Sequence, residues 1–202
     1  IMGALNQRAI KQMEESLVQL IDELLDHMEN LETVDIIRDF AARIPIEVIG
    51  NLLDVPRNER QPLRGWSLAI LSALEPAPES PVLQAGNEAV VAFMGYLKLL
   101  VTDRRRSPGD PAVDVLTRLI DGEKDGEKLT EAELLHNCIF LLNAGHETTT
   151  NLIGNGLHAL IKHRDQLELL AANPQLANSA VEELLRYESP LQLNNRLTTE
   201  SM

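Results

Sequence analysis

The residues best able to do chemistry lie together at 141–151, L-L-N-A-G-H-E-T-T-T-N, where an imidazole, a carboxylic acid and three alcohols follow one another. Three chemistries compete for this string. Zinc hydrolysis needs H-E-x-x-H, two imidazoles one helical turn apart with a general-base glutamate between them. Here Thr150 stands where the second imidazole belongs, and His158 and His163 lie several turns further on. A zinc peptidase is the weakest of the three. A covalent nucleophile would be the serine of G-x-S-x-G, which is not present, or the single cysteine, Cys138. That cysteine sits in a strongly apolar run, where an inert buried thiol is the expectation. A proton relay needs an acid and an alcohol, and Glu147 and Thr148 supply them. Successive helical residues point about 100° apart, so the two form no dyad on one face. They could still pass protons through water, with Thr148 facing a cavity and Glu147 reaching round to solvent.

The same stretch breaks a local rule. Gly145, Thr148, Thr149, Thr150 and Asn151 are poor helix formers and together cost a helix on the order of 2–4 kcal/mol relative to alanine. Such a breach inside a buried helix marks a functional candidate. Gly145 removes a side chain one turn before Thr149, leaving a notch where a flat cofactor or ligand could approach the backbone. The competing reading is structural: small and β-branched residues allow close helix packing, and threonine hydroxyls can bond back to the preceding turn.

The elements that must position these groups are helical. Apolar residues at Ile10, Met13, Leu17, Leu20, Ile21, Leu24 and Met28 mark one face of a helix over 8–30. An acidic link leads to a short apolar helix at 46–53, with Pro45 in its first turn and Pro56 as its stop. A helix over 57–74 carries Trp66, and 75–81, E-P-A-P-E-S-P, reads as a rigid connector. Residues 82–106 are helical again, Pro111 opens a short helix ending near Ile120, and 121–126 is a turn cluster. Thr130 and Glu133 form a capping box at the head of the longest element. It runs to Lys162, about 48 Å, and is apolar nearly all round, predicting burial through a domain centre. Helices over 165–172 and 176–188 follow, the second ended by Ser189-Pro190. Residues 191–200 look extended, with an Asn-Asn turn. The fold class is mainly α with small β elements, and no internal repeat or low-complexity tract interrupts it.

Composition narrows the function. At 202 residues, 44% apolar and 24% charged, the chain is one domain or a large piece of one and can bury a core. A net charge of −13 with 3% aromatic residues argues against nucleic acid as a partner. The one basic run, Arg104-Arg105-Arg106, reads as a solvated helix C-terminus favoured by the helix dipole. One cysteine allows no internal disulfide, which suits a reducing compartment. The N-terminal residues lack a signal-peptide pattern, and the most apolar stretch, 134–145, is too short and polar to span a bilayer. These features predict a soluble, cytoplasmic protein without a membrane anchor. The chain starts at Ile1 rather than Met, which suggests a fragment.

A second constellation sharpens the first. Glu183 and Arg186 form E-x-x-R, three apart on one helix face and within ion-pair reach. Alone it reads as a solvated surface pair. A-G-H-E-T-T at 144–149, followed by E-x-x-R at 183–186, resembles the cytochrome P-450 family of heme-thiolate monooxygenases. The segments 43–60, R-I-P-I-E-V-I-G-N-L-L-D-V-P-R-N-E-R, and 173–190, N-P-Q-L-A-N-S-A-V-E-E-L-L-R-Y-E-S-P, resemble soluble bacterial members, so the likeness covers nearly all 202 residues.

The resemblance implies roles. The long helix would cross the distal face of the heme, with Ala144, Gly145 and Thr149 in the cofactor pocket. Thr148 matches the family's alcohol that hydrogen-bonds dioxygen, and Glu147 the adjacent acid of the proton-delivery path. Glu183 and Arg186 match the pair that braces the heme-binding core, and Arg196 the arginine that pairs with a heme propionate (a solvated strand residue is its bland alternative). Leu141 and Leu193 would border the substrate pocket. The run 66–74 and the connector after it would form the lid, with an apolar entrance. Partners implied are dioxygen, a small organic substrate and a ferredoxin or flavoprotein electron donor.

One departure is serious. The family's axial cysteine lies in a glycine-containing loop downstream of E-x-x-R, and this chain ends before it. Cys138 lies on the distal helix, on the wrong side of the heme, and is rejected as the ligand. The chain therefore resembles the central part of a single domain, a piece expected not to bind heme normally, not to turn over substrate, and to self-associate through exposed core. The alternative is a non-catalytic helical module of the same fold, acting in ligand binding or association.

Overall fold

The structure is a computed structural model and describes residues 7–75, 79–111, 114–121 and 129–193. Its helices are α1 (Gln7–Glu29), α2 (Arg43–Leu52), α3 (Gln61–Ala73), α4 (Ser80–Arg106), α5 (Val115–Asp121), α6 (Glu131–Lys162), α7 (Arg164–Ala172) and α8 (Ala177–Tyr187). A π-helical turn occupies Ile36–Ala41, and 3-10 turns occupy Arg57–Glu59 and Pro174–Leu176. Among the described residues all regular structure is helical. The strand expected over 191–200 falls mostly outside them, and 191–193 are irregular. By contact the chain divides into two compact units, Ile1–Glu147 and Thr148–Met202.

The first unit is built on one apolar cluster. Helix α4 buries Ala89, Phe93, Leu97 and Val101, spaced by four so that they stack on one stripe. They meet Ile46 and Ile49 of α2, Val115, Leu116 and Leu119 of α5, and Leu134, Leu135, Cys138, Ile139 and Leu142 of α6. Trp66 of α3 stacks on Phe93 with centroids 5.1 Å apart. Helices α3 and α4 cross closely because Gly86 has no side chain: a Cβ there would come 2.4 Å from Ala73 Cβ.

Several boundaries differ from expectation for identifiable reasons. The expected helix over 57–74 is split, because Pro62 in the first turn starts α3 rather than continuing an earlier helix. Helix α5 opens not at Pro111 but after Asp114, whose carboxylate accepts from the backbone N–H of Leu116 at 2.9 Å. The acidic link contains the π-helical turn, where Asp35 Oδ1 accepts from the N–H groups of Ile37 and Arg38, each at 3.0 Å. Beside it the Arg38 guanidinium, followed by the Asp35 backbone N–H, holds the Asp39 carboxyl down at about 2. The expected turn at 121–126 lies outside the described residues, save Asp121, which ends α5.

Two internal clasps hold the first unit. Arg60 is buried and spans the segment 43–60: Nε donates to Val55 O (2.9 Å), Nη1 to Glu47 Oε2 (2.6 Å) and Nη2 to Asn51 Oδ1 (2.8 Å). Gly50 makes room for it, since a Cβ at Gly50 would lie 2.4 Å from Arg60 Nε. Asp54 turns the chain at φ 50. Arg104, expected to be solvated, is instead mostly buried and ion-paired with Asp54 and Asp114. Asp114 in turn accepts from Thr117, and Thr117 accepts from the N–H of Gly109 at 3.0 Å. Only Arg105 and Arg106 of the basic run are exposed.

The second unit is packed differently. Neither α7 nor α8 contains a fully buried residue. Together with the last turns of α6 they enclose a groove of about 490 Å³, lined by Ala159, Leu160, Leu169, Leu176, Leu184 and Tyr187 among others. Gly156 lets α8 approach α6: a Cβ there would come 2.9 Å from Leu184 Cδ1.

Candidate active site on α6

The capping box at the head of α6 forms as its sequence predicts. Thr130 N–H donates to Glu133 Oε2 at 2.8 Å, and Glu133 N–H to Thr130 Oγ1 at 3.3 Å. The Thr130 hydroxyl and backbone lower the Glu133 pKa. A negative charge in this first turn also complements the helix dipole.

Burial of α6 is one-sided rather than all round. Leu135, Ile139, Leu142 and His146 are buried, whereas Phe140 is 59% exposed and Ala144 is exposed. Continuous hydrophobicity hides this asymmetry. At about 100° per residue, Leu135, Ile139, Leu142 and His146 share one face, and Phe140 and Ala144 turn away from it. Thr148, one turn beyond Ala144, is half-buried and belongs to the same side as Ala144. Glu147 and Thr149 are half-buried too, and Thr150 is buried.

The notch at Gly145 is filled. A Cβ there would meet Ile49 Cδ1 of α2 at 3.0 Å, so the missing side chain serves close packing of α2 against α6. The competing structural reading of the glycine thus has a physical basis, and the open surface lies instead at Ala144.

His146 is the residue whose role the sequence did not disclose. It is 1% exposed, and its Nδ1 lies 3.0 Å from Oγ of the fully buried Ser67 on α3. Burial, assisted by the nearby Arg64 charge, pushes its pKa down to about 4, so it is neutral near pH 7. Among the described residues no group of three or more His, Cys, Asp or Glu side chains is placed to hold a metal. Cys138 is fully buried in the apolar cluster, and burial raises its thiol to about 12. It offers no thiolate.

The other predicted residues are separate from this turn in the sequence. Glu183 and Arg186 form a two-pronged pair on α8, Nε to Oε2 at 2.7 Å and Nη2 to Oε1 at 2.6 Å. Each holds the other charged: the guanidinium lowers the Glu183 pKa, and the carboxylate raises that of Arg186. Glu183 also lines the groove of the second unit, whereas Leu141, Ala144, Gly145, Glu147, Thr148 and Thr149 do not. Leu141 is half-buried, packed against the cluster of the first unit, and Leu193 is exposed. Arg196 lies outside the described residues. No helix among the described residues is long and apolar enough to cross a membrane.

Comparison with known proteins gives a consistent set. The family model for cytochrome P450 matches residues 74–173. A cytochrome P450 of Bacillus subtilis is 40% identical over 201 residues, covering 99% of this chain and 48% of that protein. The vitamin D(3) 25-hydroxylase of Pseudonocardia autotrophica is 39% identical over 196 residues, covering 96% of this chain and 46% of that protein. Among solved structures, P450BioI in complex with an acyl carrier protein ligated by hexadec-9Z-enoic acid superposes with a TM-score of 0.87 at 36% identity. That match covers 94% of this chain and 48% of the other. The chain thus spans about half the length of the curated relatives it matches.

Proposed function

This chain belongs to the cytochrome P450 family, and from that premise we propose that its parent protein is a heme-thiolate monooxygenase inserting one atom of dioxygen into a small organic substrate. The residues present fit one wall of a heme site. Ala144 offers an exposed surface with nothing beyond Cβ, on the side of α6 turned away from its buried face. Cys138 would not supply the thiolate ligand, since it is buried and protonated. The thiolate ligand would have to be a cysteine other than Cys138.

When bound, the heme supplies oxygen activation and the oxidising power. The protein supplies position and protons. Thr148 presents a hydroxyl to the dioxygen substrate, and Glu147 feeds protons to it through water. Ala144, Gly145 and Thr149 shape the wall around that hydroxyl, with Gly145 acting by letting α2 close on α6. Arg196 would pair with a propionate, and Glu183 with Arg186 would brace the heme-binding core. Leu141 and Leu193 border the substrate. Exposed Leu68 and Leu74 of the α3 region support an apolar entrance. The relatives include a vitamin D(3) 25-hydroxylase and a P450 solved with a fatty-acyl carrier protein, which supports an apolar organic substrate. Electrons come from a ferredoxin or flavoprotein.

The observation that carries this reading is the one-sided burial of α6 at A-G-H-E-T-T. The test is the reduced carbon-monoxide difference spectrum of the full gene product, with this chain alongside. A red-shifted Soret band from the long form only is expected. In that form, Thr148→Ala should raise hydrogen peroxide release over product by roughly tenfold or more. A long form without the band would leave A-G-H-E-T-T as an inherited scaffold in a binding module, and unchanged coupling would reject the role of Thr148.

A further inference from the structure

Helices α3 and α6 meet, in the middle of an apolar cluster, through polar side chains. Ser67 of α3 and His146 of α6 are both buried and lie 3.0 Å apart, Oγ to Nδ1. One turn earlier on each helix, Arg64 Nε and Asn143 Oδ1 are buried atoms without a hydrogen-bond partner among the described residues. Apolar packing tolerates some rotation of one helix about its axis, because it has no preferred direction. A hydrogen bond between two buried groups does not tolerate it, since breaking it strands polar atoms in the core. The contact therefore adds a directional constraint on the rotation of α6 to the shape constraint that the packing of Leu142 and Ile139 already sets.

That rotation has a chemical consequence. In an α-helix His146 and Thr148 point about 200° apart, so they lie on nearly opposite sides. Ala144, one turn before Thr148, shares the side of Thr148 and is exposed. Fixing His146 inward thus fixes Ala144 and Thr148 outward. The anchor on the other helix is Ser67, within the run 66–74 that the family resemblance places in the lid.

We propose that His146 is a positioning residue: held by Ser67, it sets the rotation of the α6 turn that carries Ala144, Glu147 and Thr148, and so ties the seating of α3 to the aim of the Thr148 hydroxyl. The proposal rests on the monooxygenase reading above for what Thr148 does, but not for the existence of the pin.

The experiment uses the full gene product, heme-loaded, as wild type, Ser67→Ala, His146→Phe and His146→Asn. Asparagine keeps a hydrogen-bonding atom close to the place of Nδ1, whereas phenylalanine keeps the volume and removes the bond. Two readouts are taken: amide hydrogen exchange over 144–150, and the ratio of product to hydrogen peroxide. Losing one buried hydrogen bond should speed exchange in Ser67→Ala and His146→Phe by roughly fivefold. Their product-to-peroxide ratio should fall by a similar factor with KM nearly unchanged, and His146→Asn should recover both. Unchanged exchange in Ser67→Ala overturns the pin whether or not heme is bound. Faster exchange with unchanged coupling overturns the positioning role and leaves a structural contact only. A wild type without the thiolate Soret band overturns the monooxygenase reading, and the exchange result still decides the pin. Should His146→Phe fail to fold, Ser67→Ala decides alone.

Discussion

Among the described residues, the Arg60–Glu47 and Arg186–Glu183 pairs share the same closest distance, 2.6 Å, in opposite surroundings. In the first unit Arg60 and Glu47 have side chains 7% and 25% exposed. In the second, Arg186 and Glu183 are 70% and 56% exposed. The contrast shows that pair geometry says little about what a pair does. Arg60 is out of water, and its guanidinium also satisfies a backbone carbonyl and the Asn51 amide. Removing it would leave the buried Val55 carbonyl without its donor. The α8 pair has water on most sides, where an ion pair contributes between nothing and about 1 kcal/mol.

The largest expected effect comes from breaking the buried pair. Arg60→Ala should lower unfolding stability by about 3 kcal/mol, read from denaturant midpoints. A double-mutant cycle sharpens the point. Gly50→Ala in the native background forces Arg60 aside and should cost about 2 kcal/mol. In the Arg60→Ala background the obstruction is gone, and alanine's helix preference should make the same change favourable by up to about 1 kcal/mol. Additive effects would show that Arg60 does not occupy the space at Gly50.

A buried contact without a charged pair tests whether burial, rather than charge pairing, is what matters. His146 has its pKa lowered to about 4 by burial. An unfolded histidine titrates near 6.5, so the unfolded chain takes up the proton first as pH falls. Stability contributed by neutral His146 is whole above about pH 6.5 and is lost as pH drops toward 4, by on the order of 3 kcal/mol at most. Comparing wild type with His146→Phe in acid titration isolates it. A variant that keeps the same slope over this window would assign the loss to other groups. The smallest effect belongs to the exposed pair: Glu183→Gln should change the stability of this chain by less than about 0.5 kcal/mol. A cost near that of Arg60→Ala would erase the distinction.

What could be read from the sequence follows from locality. The capping box of Thr130 and Glu133, the extent of α1 and the start of α6 depend on residues three or four apart, and they appear as expected. The family was legible from the order of A-G-H-E-T-T and E-x-x-R. The contacts that lock the first unit were not. Nothing in spacing announces that Arg60 reaches back to Glu47, that Arg104 leaves its basic run for Asp54 and Asp114, or that His146 finds Ser67. Those are long-range choices made by packing. Gly145 shows the limit most clearly. Its lack of a side chain was visible, but whether Ile49 or a ligand fills the space is decided in three dimensions. The one-sidedness of α6 was hidden for a related reason: Phe140 and Leu142 have similar hydrophobicity, and only Leu142 is buried.

Arg60 also bears on how the chain reaches its fold. The bond to Glu47 closes a loop of 13 residues, whereas the bond from His146 to Ser67 closes one of 79. On chain entropy alone the shorter closure is cheaper by roughly 1.5 kcal/mol. The segment 43–60 can therefore tie itself off while a ribosome has yet to make α6, offering a ready surface on which Gly145 later lands.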